Sequence, residues 1–341
     1  MRTAQQKQRG AALIIVLLLA ASLSFLVLAL VGTMSLSIRR TSGTALRGEL
    51  LWRAVSVETI AIEAISTALN VPEGPPLSLE HPLFSQQFVI PFETGAGAVI
   101  FADATRCFNV NSLATSEQDE PLATNNNDEN DDEEITATVE LVAILTALEF
   151  GPTDAENIAN AIKDFVDTDD VQEIGGAEDG FYTALPSPYR TAGGLIASVS
   201  ELRTVKGINP ETYAQLSPHL CTVPSRDGMN VNVNTLRPEQ AIILSGLTGG
   251  TLSVAEARTI ITDRPPGGWQ SIDEFTQLRQ FQNENINLSV LNTRTAISSD
   301  YIEARAGTTV NEIDMNVRLI FSVGAQNGEI GVINRVLGNG I

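Results

Sequence analysis

The densest group of potential ligand atoms in this chain is an acidic segment at residues 164–179. Seven of its sixteen residues carry a carboxylate, and Gly175-Gly176 separates two groups of them that a glycine turn could bring face to face. Such hard oxygen atoms suit Ca²⁺, which takes about six to eight of them. An EF-hand fits poorly, because Gln172 stands where that loop requires Gly. On composition alone, a solvated acidic loop is the simpler interpretation. The seven carboxylates belong to Asp164, Asp167, Asp169, Asp170, Glu173, Glu178 and Asp179.

Groups for enzymatic chemistry are scarce. The histidines are His81 and His219, and the sequence contains no H-E-x-x-H zinc motif, C-x-x-C pair, phosphate-binding Gly-Lys-Ser/Thr loop or G-x-S-x-G nucleophile elbow. We therefore predict that the chain is not an enzyme. An exported hydrolase that uses acidic residues is the competing interpretation.

Residues 199–216 resemble a helix-hairpin-helix motif, whose turn at Lys206-Gly207 could present backbone N–H groups to a phosphate. The net charge is -20, with 41 acidic against 21 basic residues. Duplex affinity depends largely on neutralising phosphates, so this charge favours a hairpin used for packing, with no nucleic acid bound. A membrane-anchored DNA-binding protein of the periplasmic side is the alternative.

Cys107 and Cys221 are the two cysteines of the chain. If the chain is exported, one long-range disulfide between them is expected. Two buried free thiols are the other possibility.

An apolar run lies near the N-terminus of the chain. Residues 11–32 form 22 consecutive uncharged positions, about 33 Å as a helix, which is enough to span a bilayer. A basic leader precedes the run, and Arg39-Arg40 follows it. A secretory signal peptide would have a shorter apolar core that ends in a small-x-small site, so a membrane anchor or a prepilin leader fits better.

The basic leader ending in Gly10, with Ala11 opening the apolar run, resembles a type IV prepilin leader. Counted from Ala11, the fifth residue is Ile15, where most pilins and pseudopilins carry Glu. The K-type minor pseudopilins of type II secretion normally lack that Glu. The resemblance implies cleavage after Gly10 by the prepilin peptidase and methylation at Ala11.

The pattern of the remaining chain predicts an α+β fold. No proline interrupts residues 11–70, so one long helix with a transmembrane and an amphipathic half is expected. Residues 87–92 and 98–102 predict a β-hairpin, and strands return at 301–305, 316–323 and 330–336 with a turn at Asn327-Gly328.

Helical patterns fill the chain between these strands, notably at 138–148 and 154–166. A weak internal repeat is visible there. Residues 107–113 and 231–236 share an Asn-Val-Asn motif, and Ser198 and Ser271 each begin a capping box. Strands that flank a helical block indicate an insertion, and a two-domain tandem is the alternative.

This arrangement resembles the K-type pseudopilins, a pilin-like fold with a long N-terminal helix, an antiparallel sheet and a large inserted α-domain with helix-hairpin-helix-like elements. The implied divisions are a leader at 1–10, a transmembrane helix at 11–32, a pilin-like domain at 33–113 and 299–341, and an inserted domain at 114–298. Residues 116–134 are polar and acidic, and we predict a mobile loop there.

The resemblance also implies a site and partners. The segment ending in Gly176-Ala177-Glu178-Asp179 is similar to the Asp-rich stretch that binds calcium in that family, which implies the ligands Asp167, Asp169, Asp170, Glu178 and Asp179. The I-type and J-type minor pseudopilins are the implied partners, at the tip of the pseudopilus. A single-pass anchor in the inner membrane would then carry a periplasmic body.

Overall fold

The computed structural model describes residues 3–70, 76–93, 96–114, 136–226, 229–282, 286–310, 313–323 and 330–338. The acidic loop predicted at 116–134 and the turn predicted at Asn327-Gly328 lie outside the described residues. The described residues form a very long helix, a five-stranded antiparallel sheet and a mostly helical part with two short strand pairs. The predicted α+β class is therefore confirmed.

Helices and strands are numbered here in chain order. The helices are α1 (Thr3–Leu69), α2 (Pro82–Ser85), α3 (Ala137–Ala147), α4 (Pro152–Val166), α5 (Asp179–Thr183), α6 (Pro210–Leu216), α7 (Ala241–Gly246), α8 (Val254–Thr262), α9 (Ile272–Thr276) and α10 (Leu288–Arg294). The strands are β1 (Gln87–Pro91), β2 (Ala96–Asp103), β3 (Phe108–Asn109), β4 (Leu220–Cys221), β5 (Val231–Asn232), β6 (Thr295–Ala296), β7 (Tyr301–Val310), β8 (Ile313–Ser322) and β9 (Gly331–Gly338). Short 3₁₀ helices lie at Val110–Ala114, Val199–Thr204, Ser217–His219, Pro238–Gln240 and Arg279–Phe281.

Helix α1 is continuous over 67 residues. Its N-terminal half contains an 18-residue window with a mean hydropathy of 3.0, and none of that window is buried. Its second half is amphipathic, because Val57, Ala61 and Ile65 recur every turn and are buried against the sheet. The predicted single helix with an apolar and an amphipathic half is confirmed. By length and composition, this helix is able to cross a membrane.

The five-stranded sheet has the order β1-β2-β7-β8-β9. It contains the hairpin predicted at 87–92 and 98–102 and the three predicted C-terminal strands. Alternate residues such as Val99, Ala304 and Val317 are buried on the face that α1 covers. Because β2 pairs directly with β7, the chain leaves the sheet after β2 and returns to it at β7.

The segment between β2 and β7, called here the helical part, has its own hydrophobic core. Leu141 of α3, Ile162 of α4 and Ile243 of α7 are fully buried in it. Phe108 and Leu113 also pack in this core, although they precede the boundary predicted after residue 113. The exact domain divisions at 113/114 and 298/299 stay a prediction.

The repeat seen in the sequence corresponds to a repeat in the helical part. The side-chain amide of Asn111 accepts from the Ile196 N–H (2.9 Å) and donates to the Ile196 carbonyl (3.0 Å). Asn234 makes the same pair of bonds with Trp269, at 2.8 and 2.9 Å. Both partners lie two residues before a serine that caps the next helix. Each half also closes with a short parallel strand pair, β3 with β4 and β5 with β6.

Asp103, at the end of β2, joins the helical part to the sheet. One carboxylate oxygen accepts from the Thr105 N–H and hydroxyl (both 2.7 Å), and the other accepts from the Thr235 and Ser299 hydroxyls (both 2.6 Å). Asn232 extends this network by donating to Ser299 at 2.9 Å. The carboxylate is buried. Thr105 lies where the chain leaves the sheet, Thr235 in the middle of the helical part and Ser299 just before β7.

Replacing Asp103 with Ala would remove the acceptor of these donors at once. We expect Asp103→Ala to lower the free energy of unfolding by roughly 3 kcal/mol or more, since a buried donor without a partner costs about 1–3 kcal/mol. Chemical unfolding of the full-length protein in detergent measures this change. Asp314→Ala is the matched control, because Asp314 is an exposed aspartate of the same sheet that accepts from Thr309. Equal losses in the two variants would contradict the role given to Asp103.

Candidate metal centre

Three acidic side chains converge where α4 ends and α5 begins. Asp164 lies in the last turn of α4, Asp167 is its C-cap, and Glu178 is the N-cap of α5. One oxygen from each lies within 4.8 Å of the other two. All three residues are buried, although a carboxylate normally remains in solvent. The two helix ends therefore supply a compact cluster of oxygen atoms, called here the three-carboxylate cluster.

The predicted glycine turn brings the two ends together. Gly175 has a φ of 82°, a conformation that residues with a Cβ rarely adopt. At Gly176 a Cβ would lie 2.1 Å from the Asp164 Oδ2 atom, so a side chain there would displace this carboxylate. The Lys206 ammonium donates to the carbonyls of both glycines, at 3.0 and 2.9 Å. The turn is thus tied to the helix-hairpin-helix turn on one side and packed by Asp164 on the other.

The buried carboxylate oxygens of the cluster favour the binding of a cation. Asp164 Oδ2, Asp167 Oδ1 and Glu178 Oε1 are buried and accept no hydrogen bond from the described residues. Burial, reinforced by Asp169, raises the pKa of Asp167 to about 7. Burial and the neighbouring Asp164 likewise raise the pKa of Glu178 to about 7, and burial raises that of Asp164.

These donors fit a hard cation. The cluster offers carboxylate oxygens alone, the ligands that Ca²⁺ prefers, and lacks the sulfur and nitrogen donors typical of zinc sites. The three carboxylates would supply part of the shell of about six to eight oxygens, and main-chain carbonyls or water commonly complete such a shell. The orphaned oxygens and the donor set therefore agree with a calcium site.

The structure brings together two of the five ligands implied by the resemblance, Asp167 and Glu178. Asp169 lies outside this group of three, and one of its carboxylate oxygens accepts from the Val171 N–H at 2.9 Å. Asp170 is exposed, yet its charge and that of Asp169 both raise the pKa of Glu178, so the two residues lie near the cluster.

Asp179 points to different partners. It accepts from the Thr191 N–H (2.9 Å) and hydroxyl (3.0 Å) and pairs with Arg190 at 2.7 Å. The Thr191 backbone bond, helped by Arg190, lowers the pKa of Asp179. A carboxylate that is already satisfied in this way has little to gain from a metal ion.

Asp164, one of the seven acidic residues of the segment, is not among the five ligands that the resemblance implies. It lies three residues before Asp167, so a helix places both on one side, which is the signal that could have identified it. Glu173, also outside those five, forms an ion pair with Lys163, and its N–H donates to Asp164 at 3.1 Å. It therefore supports the cluster from outside.

Cys107 and Cys221 are joined by a disulfide, with Cα atoms 5.7 Å apart. The bond lies beside the β3–β4 pair, where Asn109 is the register partner of Cys221. It links the start of the helical part to the end of its first repeat.

Comparison with known proteins gives consistent matches. Two family models described as type II secretion system (T2SS), protein K, match residues 106–225 and 231–297. Type II secretion system protein K of Klebsiella pneumoniae is 30% identical over 270 residues, 79% of each chain. That of Aeromonas hydrophila is 29% identical over 324 residues, 94% of this chain and 95% of the relative. A chain in the crystal structure of the GspK-GspI-GspJ complex from enterotoxigenic Escherichia coli superposes with a TM-score of 0.73 at 28% identity, covering 88% of this chain and 99% of that chain.

Proposed function

Because this chain belongs to the type II secretion system protein K family, we propose that it is a minor pseudopilin that caps the tip of the pseudopilus. The observation that carries this proposal is the joint match in sequence and in fold, which extends from α1 through the sheet and the helical part. In this role the chain would help to initiate assembly of the pseudopilus and export of folded proteins from the periplasm. The family is a structural component of the secretion system, which agrees with the predicted absence of catalysis.

The proposed partners are the I-type and J-type pseudopilins, as in the complex that this chain resembles. Support comes from α1 beyond its most apolar window, where Leu51 and Val55 are exposed and Trp52 is 74% exposed. An exposed aromatic residue among aliphatic neighbours is typical of a helix face that a partner covers. The tip position is supported by Ile15, which replaces the Glu found in most pilins. That carboxylate would neutralise the N-terminal amine of the subunit above, and a subunit at the tip has no subunit above it.

We expect the full-length protein to co-purify from membranes with the I-type and J-type pseudopilins of the same system. Trp52→Glu should weaken the assembly at least about tenfold, because loss of a central aromatic anchor costs about 2 kcal/mol or more. Val139→Glu is the matched control, since Val139 is an exposed valine on α3 of the helical part. Quantitative pull-down from detergent extracts measures both variants.

Immunogold labelling of overproduced pseudopili provides a second readout of the same strains. Label at one end agrees with the capping role, whereas label along the fibre argues against it. Failure of the wild-type protein to bind either pseudopilin would reject the proposed partners.

We further propose that the prepilin peptidase removes residues 1–10, that Ala11 becomes the methylated N-terminus and that α1 anchors a periplasmic body in the inner membrane. The basic leader, Gly10 and the exposed apolar half of α1 support this proposal. The acidic body and the disulfide agree with a periplasmic location.

Intact mass spectrometry of the protein purified from membranes tests the processing. The expected mass lacks ten residues and gains one methyl group. Gly10→Val should abolish cleavage, whereas Gly32→Ala, at a position with no neighbouring atom within 4 Å, should be processed normally. Cleavage near Arg39, or an unprocessed wild-type protein, would contradict this assignment.

We also propose that Ca²⁺ binds the three-carboxylate cluster, held by Asp164, Asp167 and Glu178. The ion would supply the positive charge that the three buried oxygens lack. The acidic residues Asp169 and Asp170 would strengthen the attraction through their charge. The role is structural, because the cluster joins the end of α4 to the start of α5.

Removal of calcium with a chelator should lower the melting temperature of the wild-type protein, because an ion at about 100 times its Kd stabilises a fold by about 2.7 kcal/mol. Asp164→Asn combined with Glu178→Gln should eliminate the dependence on calcium. Asp170→Asn, at an exposed acidic position outside the cluster, should retain most of it. A wild-type melting temperature that is indifferent to the chelator would disprove the site without affecting the proposed secretion role.

A further inference from the structure

A cleft of about 570 Å³ separates the sheet from the helical part. Arg305 and Arg318 line it from the sheet face opposite α1, as the alternation with the buried Ala304 and Val317 shows. Arg106 lines it from the loop between β2 and β3. The cleft is therefore bounded by both parts of the molecule and by several guanidinium groups.

The two sheet arginines are placed unusually. Arg305 and Arg318 are register partners on neighbouring antiparallel strands, and like charges directly opposite each other are destabilising. Glu303 forms an ion pair with each of them. Burial opposes ionisation of Glu303, but the two arginines hold its pKa below the usual value. One carboxylate thus serves two guanidinium groups, which leaves this wall of the cleft with an excess positive charge.

The opposite wall adds further positive charge. The Arg106 Nε donates to the main-chain carbonyl of Asp103 at 2.9 Å, and burial lowers the pKa of Arg106, although the charges of Asp103 and Glu303 partly offset this shift. Arg203 also lines the cleft and stacks on the ring of Tyr213 at 4.3 Å. Among the described residues, neither Arg106 nor Arg203 forms an ion pair. These arginines lie in a chain of net charge -20, so the local charge is the reverse of the surroundings.

The remaining lining indicates a peptide rather than a small ion. The lining includes the apolar residues Val199, Ile320 and Val336 as well as the polar residues Ser200 and Asn334. A small inorganic anion has no apolar surface that could pack against these side chains. Duplex DNA would extend beyond the cleft and meet the strongly acidic remainder of the surface, which opposes its approach, whereas a short peptide can lie within the cleft. A peptide with both acidic and apolar side chains matches the charge and the lining together.

We propose that this cleft binds an acidic, partly apolar peptide segment of a partner protein, with its carboxylates on the cleft arginines. The exposed guanidinium groups of Arg203 and Arg305 make the outer contacts, and these local cations offset the repulsion that the acidic exterior exerts on a carboxylate. The inference depends on the cleft alone and holds whether or not the tip-capping role is correct.

Fluorescence anisotropy with the full-length protein in detergent micelles tests the proposal. The probe is a dye-labelled peptide of alternating Glu and Leu, compared with a peptide in which Gln replaces every Glu. We expect the acidic probe to bind, and both Arg203→Glu and Arg305→Gln to weaken it about tenfold. Arg258→Glu is the matched control, because Arg258 is an exposed arginine on α8 outside the cleft. Binding should also weaken as salt concentration rises.

Three results would overturn the proposal. The first is equal affinity for the Gln peptide, which would remove the role of charge. The second is undiminished binding by both cleft variants, given melting temperatures equal to that of the wild type. The third is displacement of the probe by inorganic phosphate or duplex DNA at lower concentration than by unlabelled acidic peptide, which would assign the arginines to another ligand.

Discussion

The placement of the helical part against the sheet depends on one buried carboxylate, that of Asp103. It lies where the chain leaves the sheet and close to where the chain returns to it. A buried Asp is costly unless donors surround it, and Asp103 accepts from Thr105, Thr235 and Ser299. Thr235 and Ser299 are distant from Asp103 in sequence, so the carboxylate is fully satisfied only when the helical part has folded and β7 has joined β2. The same contacts therefore complete the sheet and set the helical part against it, which creates the arginine-lined cleft between them.

A second constraint, a buried Asn side chain that bonds to a distant main-chain segment, occurs twice within the helical part. Asn111 and Asn234 each occupy both main-chain hydrogen-bonding groups of one distant residue, which positions the capped helix that follows. The close packing of this device is visible at Gly268, where a Cβ would lie 2.6 Å from the Asn234 amide. Because these contacts are buried and specific, each repeat requires its Asn together with the turn that places the partner residue beside it.

The two repeats diverge after their equivalent helices, and the candidate metal centre results from that divergence. Helix α4 ends at the C-cap Asp167 and α8 ends at the C-cap Asp263. In the second repeat the chain turns back quickly, and Arg264 donates to the carbonyls of Val233 and Leu236 at 3.2 and 2.8 Å. In the first repeat the chain continues into a longer acidic segment that returns at Glu178. The candidate metal centre is thus an elaboration of one copy, and a cationic side chain stabilises the equivalent region of the other.

Local sequence patterns predicted the local structure. Sites formed by segments distant in sequence could be identified only from the three-dimensional structure. Absence of proline, alternation of apolar residues and capping boxes were sufficient for α1, the hairpin and the repeat, since each signal acts over a few residues. The acidic segment was also visible, but the choice of Asp164 over Asp179 depends on where Thr191 lies. The cleft could not be foreseen, because the pairing of Arg305 with Arg318 is a matter of strand register.

The helix-hairpin-helix turn shows that the presence of a motif does not establish the function usually associated with it. In a nucleic-acid complex the backbone and cations of such a turn face phosphates. Here Lys206 donates its ammonium group to the carbonyls of Gly175 and Gly176, and its N–H donates to the Tyr182 hydroxyl at 3.1 Å. A phosphate at this turn would have to displace the chain's own acidic segment. The lysine instead holds that segment from outside while the carboxylates converge inside, so the motif acts as a support for the candidate metal centre.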